Sequence, residues 1–194
     1  MSHVANDASG GAPASELADQ AQLAFQTVPV PALVIISTID DDIRCDGTDA
    51  THVKEFGSFV AKALDVIAKA SPNSRILVVG QLGRPSPSFV KELVAFDPTV
   101  KASLTGTGMC DFYDPAGNLV EAHFNTLIGI IDAYEAEQAR MCAAVPHCQT
   151  DGGVRARYVD SLGNFSSDWN HLNVKGQAAE AALIWPVVVK ALNL

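Results

Sequence analysis

Near the carboxyl end of the chain, Asp168 and His171 stand three residues apart in the run Phe165-Ser166-Ser167-Asp168-Trp169-Asn170-His171-Leu172-Asn173. An imidazole that is to accept a proton needs a carboxylate to fix its tautomer and to stabilise the imidazolium it becomes. An aspartate three positions earlier, in a turn entering a helix, can supply that. The same spacing also has a purely structural use, in which the aspartate caps a turn and the histidine lies on the surface.

Other residues of chemical interest are scattered. His3, His52, His123 and His147 lack the spacing of metal ligands such as His-x-x-x-His. Asp40, Asp42, Asp46 and Asp49 form an acidic run that could ligate calcium. Arg44 and Cys45, however, fall where an EF-hand loop needs ligands, so no metal is expected. Arg84-Pro85-Ser86-Pro87 follows a predicted strand, where α/β proteins form binding sites and where it could shape a substrate pocket, but it reads first as an ordinary loop. Trp169 and Trp185 read as packing residues, Trp169 also as a lining residue for a site. No Gly-x-Ser-x-Gly elbow occurs. Cys45, Cys110, Cys142 and Cys148 allow three pairings. The short spacing from Cys142 to Cys148 would close a small loop at a helix end. No spacing is Cys-x-x-Cys, which argues against zinc. Two disulfides and an oxidising compartment are expected.

The elements that would position Asp168 and His171 follow from hydrophobic patterning. Residues 1–14 are small and polar and read as loop. Ser15 can cap a helix through Glu16 to Phe25, which Pro29 and Pro31 stop. The apolar run 32–36 suits a strand buried on both faces of a parallel sheet. Val53, Phe56, Phe59, Val60, Leu64 and Ile67 recur at helical spacing up to Pro72. Residues 75–80 read as a second buried strand, and a short helix follows around 89–95. Residues 97–120 are punctuated by glycine and proline. A long helix is expected over 121–144, a short strand around 157–159, and a last helix over 174–192 that Pro186 kinks or breaks near Trp185. Strands alternating with helices predict an α/β fold, a three-layer α/β/α sandwich with a parallel sheet, built as one domain over residues 1–194.

The segment SDWNHLNVKGQAAEAALIWPVV resembles the last block of SGNH hydrolases, of the GDSL type, especially secreted actinobacterial esterases. The resemblance implies that Asp168 orients His171 and that His171 is the general base, with Gly176 letting the last helix approach the sheet. Asn6-Asp7-Ala8-Ser9-Gly10-Gly11-Ala12 resembles the second block, in which a glycine amide, here Gly10 or Gly11, donates to the oxyanion. Residues 33–45 resemble the third block. Asp41 then stands where the family has an asparagine donor, and a carboxylate accepts hydrogen bonds instead of donating them. The family's Gly-Asp-Ser block, which carries the nucleophile, does not occur. On this reading the domain is amino-terminally incomplete, and the first strand and its serine would lie upstream of Met1. A non-catalytic relative, or a substitute nucleophile such as Ser9, would also account for the missing block.

The resemblance implies an SGNH, flavodoxin-like sandwich lacking its first strand. It also implies acyl-ester hydrolysis or transfer through an acyl-serine, without cofactor or metal. The rival expectation is an inactive domain that binds an acylated or glycan ligand. The expected substrate is a small-molecule, glycan or lipid ester, and the expected state is a secreted monomer. A net charge of −9 over 194 residues works against nucleic-acid and anionic-membrane partners. No apolar run approaches the roughly twenty residues of a membrane span, and the first twenty residues lack the pattern of a signal peptide.

Overall fold

The computed structural model describes residues 3–194. Three strands form its sheet: β1 (Leu33–Ser37), β2 (Arg75–Val79) and β3 (Cys148–Thr150). All pair in parallel, in the order β1-β2-β3. Ile35 stands opposite Leu77, and Val78 opposite Thr150. Five α-helices surround the sheet: α1 (Leu17–Thr27), α2 (Asp49–Ala70), α3 (Pro87–Phe96), α4 (Glu121–Ala143) and α5 (Val174–Leu192). The fold is therefore α/β with a parallel sheet, as the alternating pattern predicts, and it is compatible with a three-layer α/β/α sandwich.

Side-chain alternation along β2 decides the layers. Ile76 and Val78 point into a cluster with Phe56, Val60, Leu64 and Ile67 of α2 and Tyr134 of α4. Leu77 and Val79 point the other way, against Ile184 and Val188 of α5. Successive strand residues face opposite sides of a sheet, so one apolar strand feeds two cores. The α2 residues at these positions lie on one stripe of the helix, which is why this face turns inward. Each fully buried aliphatic side chain contributes roughly 1.5–3 kcal/mol.

β1 departs from the expectation of burial on both faces. Ile36 is buried, but Ile35 in mid-strand is 52% exposed. α5 packs over β2 and leaves this part of β1, the edge strand, uncovered. The third strand also differs from expectation. Residues 155–157 form a 3-10 turn, and the third strand is Cys148–Thr150 instead. That strand has no apolar run. It follows from the end of α4, where a Cys142–Cys148 disulfide turns the chain back against β2. Ser15 is not a cap, because it lies inside a 3-10 turn, Ala14–Glu16, that precedes α1 and has Pro13 at its N-cap. α5 runs through Pro186 as one helix rather than breaking near Trp185.

Cys45 and Cys110 form the second disulfide. Among the described residues, no helix is long and apolar enough to cross a membrane. Both observations are compatible with an extracellular protein.

Candidate active site

The segment before α5 is a closed loop held by its own backbone. The Ser166 N–H donates to the His171 carbonyl (2.7 Å), and the Trp169 N–H to the Ser166 carbonyl (3.1 Å). Asn173 anchors the loop to the helix. Its Oδ1 accepts from the Gly176 N–H at 3.0 Å, which caps α5, and its Nδ2 donates to the carbonyls of Gly163 (3.0 Å) and Phe165 (2.9 Å). An asparagine at this position satisfies a helix-end N–H that would otherwise lack a partner.

Within that loop Asp168 does both of the things its spacing allows. Oδ1 accepts the N–H groups of Asn170 and His171, each at 3.0 Å. Oδ2 lies 2.8 Å from His171 Nδ1. A carboxylate only accepts, so Nδ1 carries the proton and Nε2 is the nitrogen left to take one. The two contacts from His171 and the Asn170 N–H hold the Asp168 carboxyl down at about 2. The hydrogen bond to Asp168, then its charge, raise the imidazole above its ordinary value, and the charges of Asp40 and Asp41 add to this. Arg155 bonds to Glu180 in the first half of α5 and to Ser37 and Gly80 at the carboxyl ends of β1 and β2, which turns the amino-terminal half of α5, and the loop before it, toward that end of the sheet. Both members of the pair are solvent-exposed, and His171 has 74% of its side chain in the open.

Asp41 thus acts on His171 through its charge and makes no hydrogen bond to it. Gly10 and Gly11 lie in an exposed turn in which the Ala12 N–H donates to the Ser9 carbonyl at 3.2 Å. A side chain added at either glycine would meet nothing within 4 Å. Among the described residues, no serine hydroxyl, that of Ser9 included, hydrogen-bonds to His171.

The acidic run has structural work. Asp42 is buried and accepts the Ala14 N–H at 3.0 Å and the Thr38 hydroxyl at 3.3 Å, and its burial pushes its carboxyl up. Asp49, also buried, accepts the N–H groups of Arg44 and Cys45 at 2.9 Å, and the Tyr134 hydroxyl lies 3.4 Å away. Asp46 accepts from Thr48. These carboxylates are occupied, and among the described residues no group of three or more metal-ligating side chains comes together.

Sequence reasoning missed two features near the strand ends. Arg155 donates through Nη1 to Ser37 Oγ (3.0 Å) and the Gly80 carbonyl (2.8 Å), and through Nε to Glu180 on α5 (2.7 Å). It ties the ends of β1 and β2 to α5, and no local pattern announces it. Trp169 donates its indole N–H to Asp97 Oδ2 at 3.0 Å, and Phe96 packs edge-on against it with ring centroids 5.5 Å apart. The Trp169 backbone is left-handed, with φ of 57°.

Compared with protein-family models, curated proteins and solved structures, the chain matches none.

Proposed function

We propose that Asp168 and His171 are the proton-transfer half of an SGNH-type ester hydrolase or acyl transferase. One observation carries the reading: a carboxylate 2.8 Å from Nδ1 leaves Nε2 as the open, basic nitrogen of a solvent-exposed pair. In the reaction, Nε2 takes the proton of a serine hydroxyl as its oxygen attacks the ester carbonyl. The proton then goes to the leaving alkoxide as the carbon–oxygen bond breaks; in the second step Nε2 takes a proton from water or an acceptor alcohol as its oxygen attacks the acyl-serine carbonyl, and returns it to the serine oxygen as that bond breaks. Asp168 stabilises the imidazolium between these steps. The two disulfides support an extracytoplasmic setting for this chemistry.

The second reading is a binding domain with the same fold and no turnover. It is favoured by the lack, among the described residues, of a serine hydroxyl bonded to His171. Labelling with a fluorophosphonate and mapping the modified peptide separates the two. A labelled serine, lost in His171→Ala together with ester hydrolysis, supports the esterase. A folded protein that takes no label, or hydrolysis that survives His171→Ala, sinks it and leaves the binding domain.

A further inference from the structure

Gln138 on α4 is 2% exposed, and its amide is only half satisfied. Nε2 donates to the Val79 carbonyl at 3.2 Å, at the carboxyl end of β2. A carbonyl only accepts, so the nitrogen must be the atom that faces it. That leaves Oε1 buried, with no hydrogen-bond partner among the described residues. A buried acceptor without a partner is costly, and folded proteins keep few of them. It points to a donor that comes from outside the chain.

Gln138 lines a cavity of about 310 Å³ between α4 and the residues that follow β2 and β3. In parallel α/β sheets, ligands bind outside the carboxyl ends of the strands. Gly80, next after Val79, also lines the cavity, so the amide that Val79 holds lies at its inner wall. The volume is well above what one water needs.

The charge of the lining is negative. Asp132, Glu135 and Asp151 bring carboxylates, and no lysine, arginine or histidine is among the described lining residues. Arg84 offsets part of this charge, with Nη2 3.0 Å from Asp132 Oδ1 and 2.6 Å from Glu135 Oε2. Glu135 Oε1 accepts the Gln81 N–H, and Asp151 accepts the N–H groups of Gly80 and Arg155. Asp132 Oδ2 has no partner among the described residues. Two acceptors are therefore open, one buried on Gln138 and one on Asp132, whose side chain is 59% exposed. Their residues stand six positions apart on α4, about 9 Å along the helix axis. Ala136 and Ala139, between and beside them on the helix, give the cavity an apolar stretch. An ammonium is costly to bury and a hydroxyl much less so. The cation therefore suits the exposed carboxylate, and the hydroxyl suits the buried amide.

We propose that this cavity binds a small aliphatic amino alcohol, with its ammonium at Asp132, its carbon chain on Ala136 and Ala139, and its hydroxyl donating to Gln138 Oε1. The site stands independently of the Asp168–His171 reading.

The test is a titration of the whole chain with 6-amino-1-hexanol, followed by the backbone amide resonances of Gly152 and Gly153, which line the cavity. Hexylamine, which lacks the hydroxyl, and 1,6-hexanediol, which lacks the charge, are titrated alongside. The amino alcohol should shift both resonances saturably and bind roughly threefold to tenfold more tightly than either control, the range of one hydrogen bond. Gln138→Met should weaken the amino alcohol to the level of hexylamine and leave hexylamine unchanged. Asp132→Asn should weaken the amino alcohol and hexylamine but not the diol. Should Gln138→Met not fold, Asp132→Asn, a change at an exposed side chain, decides together with the two controls. No saturable shift with the amino alcohol, equal affinity for either control, or unaltered affinity in Asp132→Asn or in folded Gln138→Met would each overturn the site. Binding should persist in His171→Ala, so loss of the esterase reading leaves this site standing.

Discussion

Asp168 divides its two oxygens between backbone and imidazole, so the group that shapes the turn also sets the protonation of His171. The sign of each shift gives a pH window. A histidine raised by its partner contributes stability below its unfolded value, near 6.5, and loses it as pH rises through the higher folded value. An aspartate lowered to about 2 contributes above its unfolded value, near 3.8, and loses it as pH falls toward 2. The pair is therefore intact between roughly pH 4 and 6.5. As a general base His171 must be neutral, so proton-accepting activity should rise with pH through a midpoint above 6.5. A proton NMR titration of the imidazole should show that raised midpoint, and Asp168→Asn should bring it down. A midpoint unmoved in Asp168→Asn would mean that the contact does not hold in solution.

At the scale of elements, close approaches and cross-links set the position of the site loop. A methyl group added at Gly176 on α5 would collide with the Asn164 carbonyl oxygen and press on Leu172. The resemblance to a family assigns this glycine to contact with the sheet. Its near neighbours are in fact in the loop that carries the dyad. Gly176→Ala should lower stability by about 1–3 kcal/mol and displace the dyad, seen as a fall in denaturation midpoint together with a shifted His171 resonance. Little change in either would show that the loop can yield.

The disulfides should differ in worth for a reason of chain length. The Cys45–Cys110 bridge spans 65 residues and Cys142–Cys148 spans 6. In the chain-entropy account the first contributes roughly 4 kcal/mol and the second roughly 2. Replacing both cysteines of one bridge with serine, then measuring urea unfolding, should show the larger loss for the 45–110 pair. The reverse order would mean that turning the chain from α4 into β3 matters more than loop closure.

For the whole molecule, the two sheet edges are unequal. β3 is a three-residue edge, whereas β1 offers five residues, with neither proline nor charge, and carries an exposed Ile35. Residues of the amino-terminal segment and α1 border a groove of about 330 Å³ against it. Long apolar edges promote pairing between chains, and a charge on such a strand blocks it. Ile35→Lys should leave the fold intact by circular dichroism and reduce light scattering at high concentration. Equal scattering would place self-association elsewhere or show that there is none.

Much of the architecture was legible because it depends on short-range pattern. The apolar runs of β1 and β2 and the periodic stripe of α2 are local patterns, and the start of α5 at Val174 follows from the cap that Asn173 makes three residues ahead. Asp168 beside His171 was legible for the same reason, since three residues in one turn need no distant partner to meet. The third strand was not, because three residues without an apolar run become a strand only by pairing with β2. The exposure of β1 depends on how far α5 extends across the sheet, which no pattern within β1 records. Arg155 meets Ser37, Gly80 and Glu180 only after the fold closes, and Trp169 meets Asp97 from 72 residues away and Phe96 beside it. The acidic run divides the same way. The sequence determined that carboxylates gather after β1. Only the tertiary structure decided which are buried against backbone N–H groups and which, as Asp40 and Asp41, stay exposed, with Asp40 accepting from Gln81 at 2.9 Å, because burial and hydrogen bonding depend on segments that are distant in the chain.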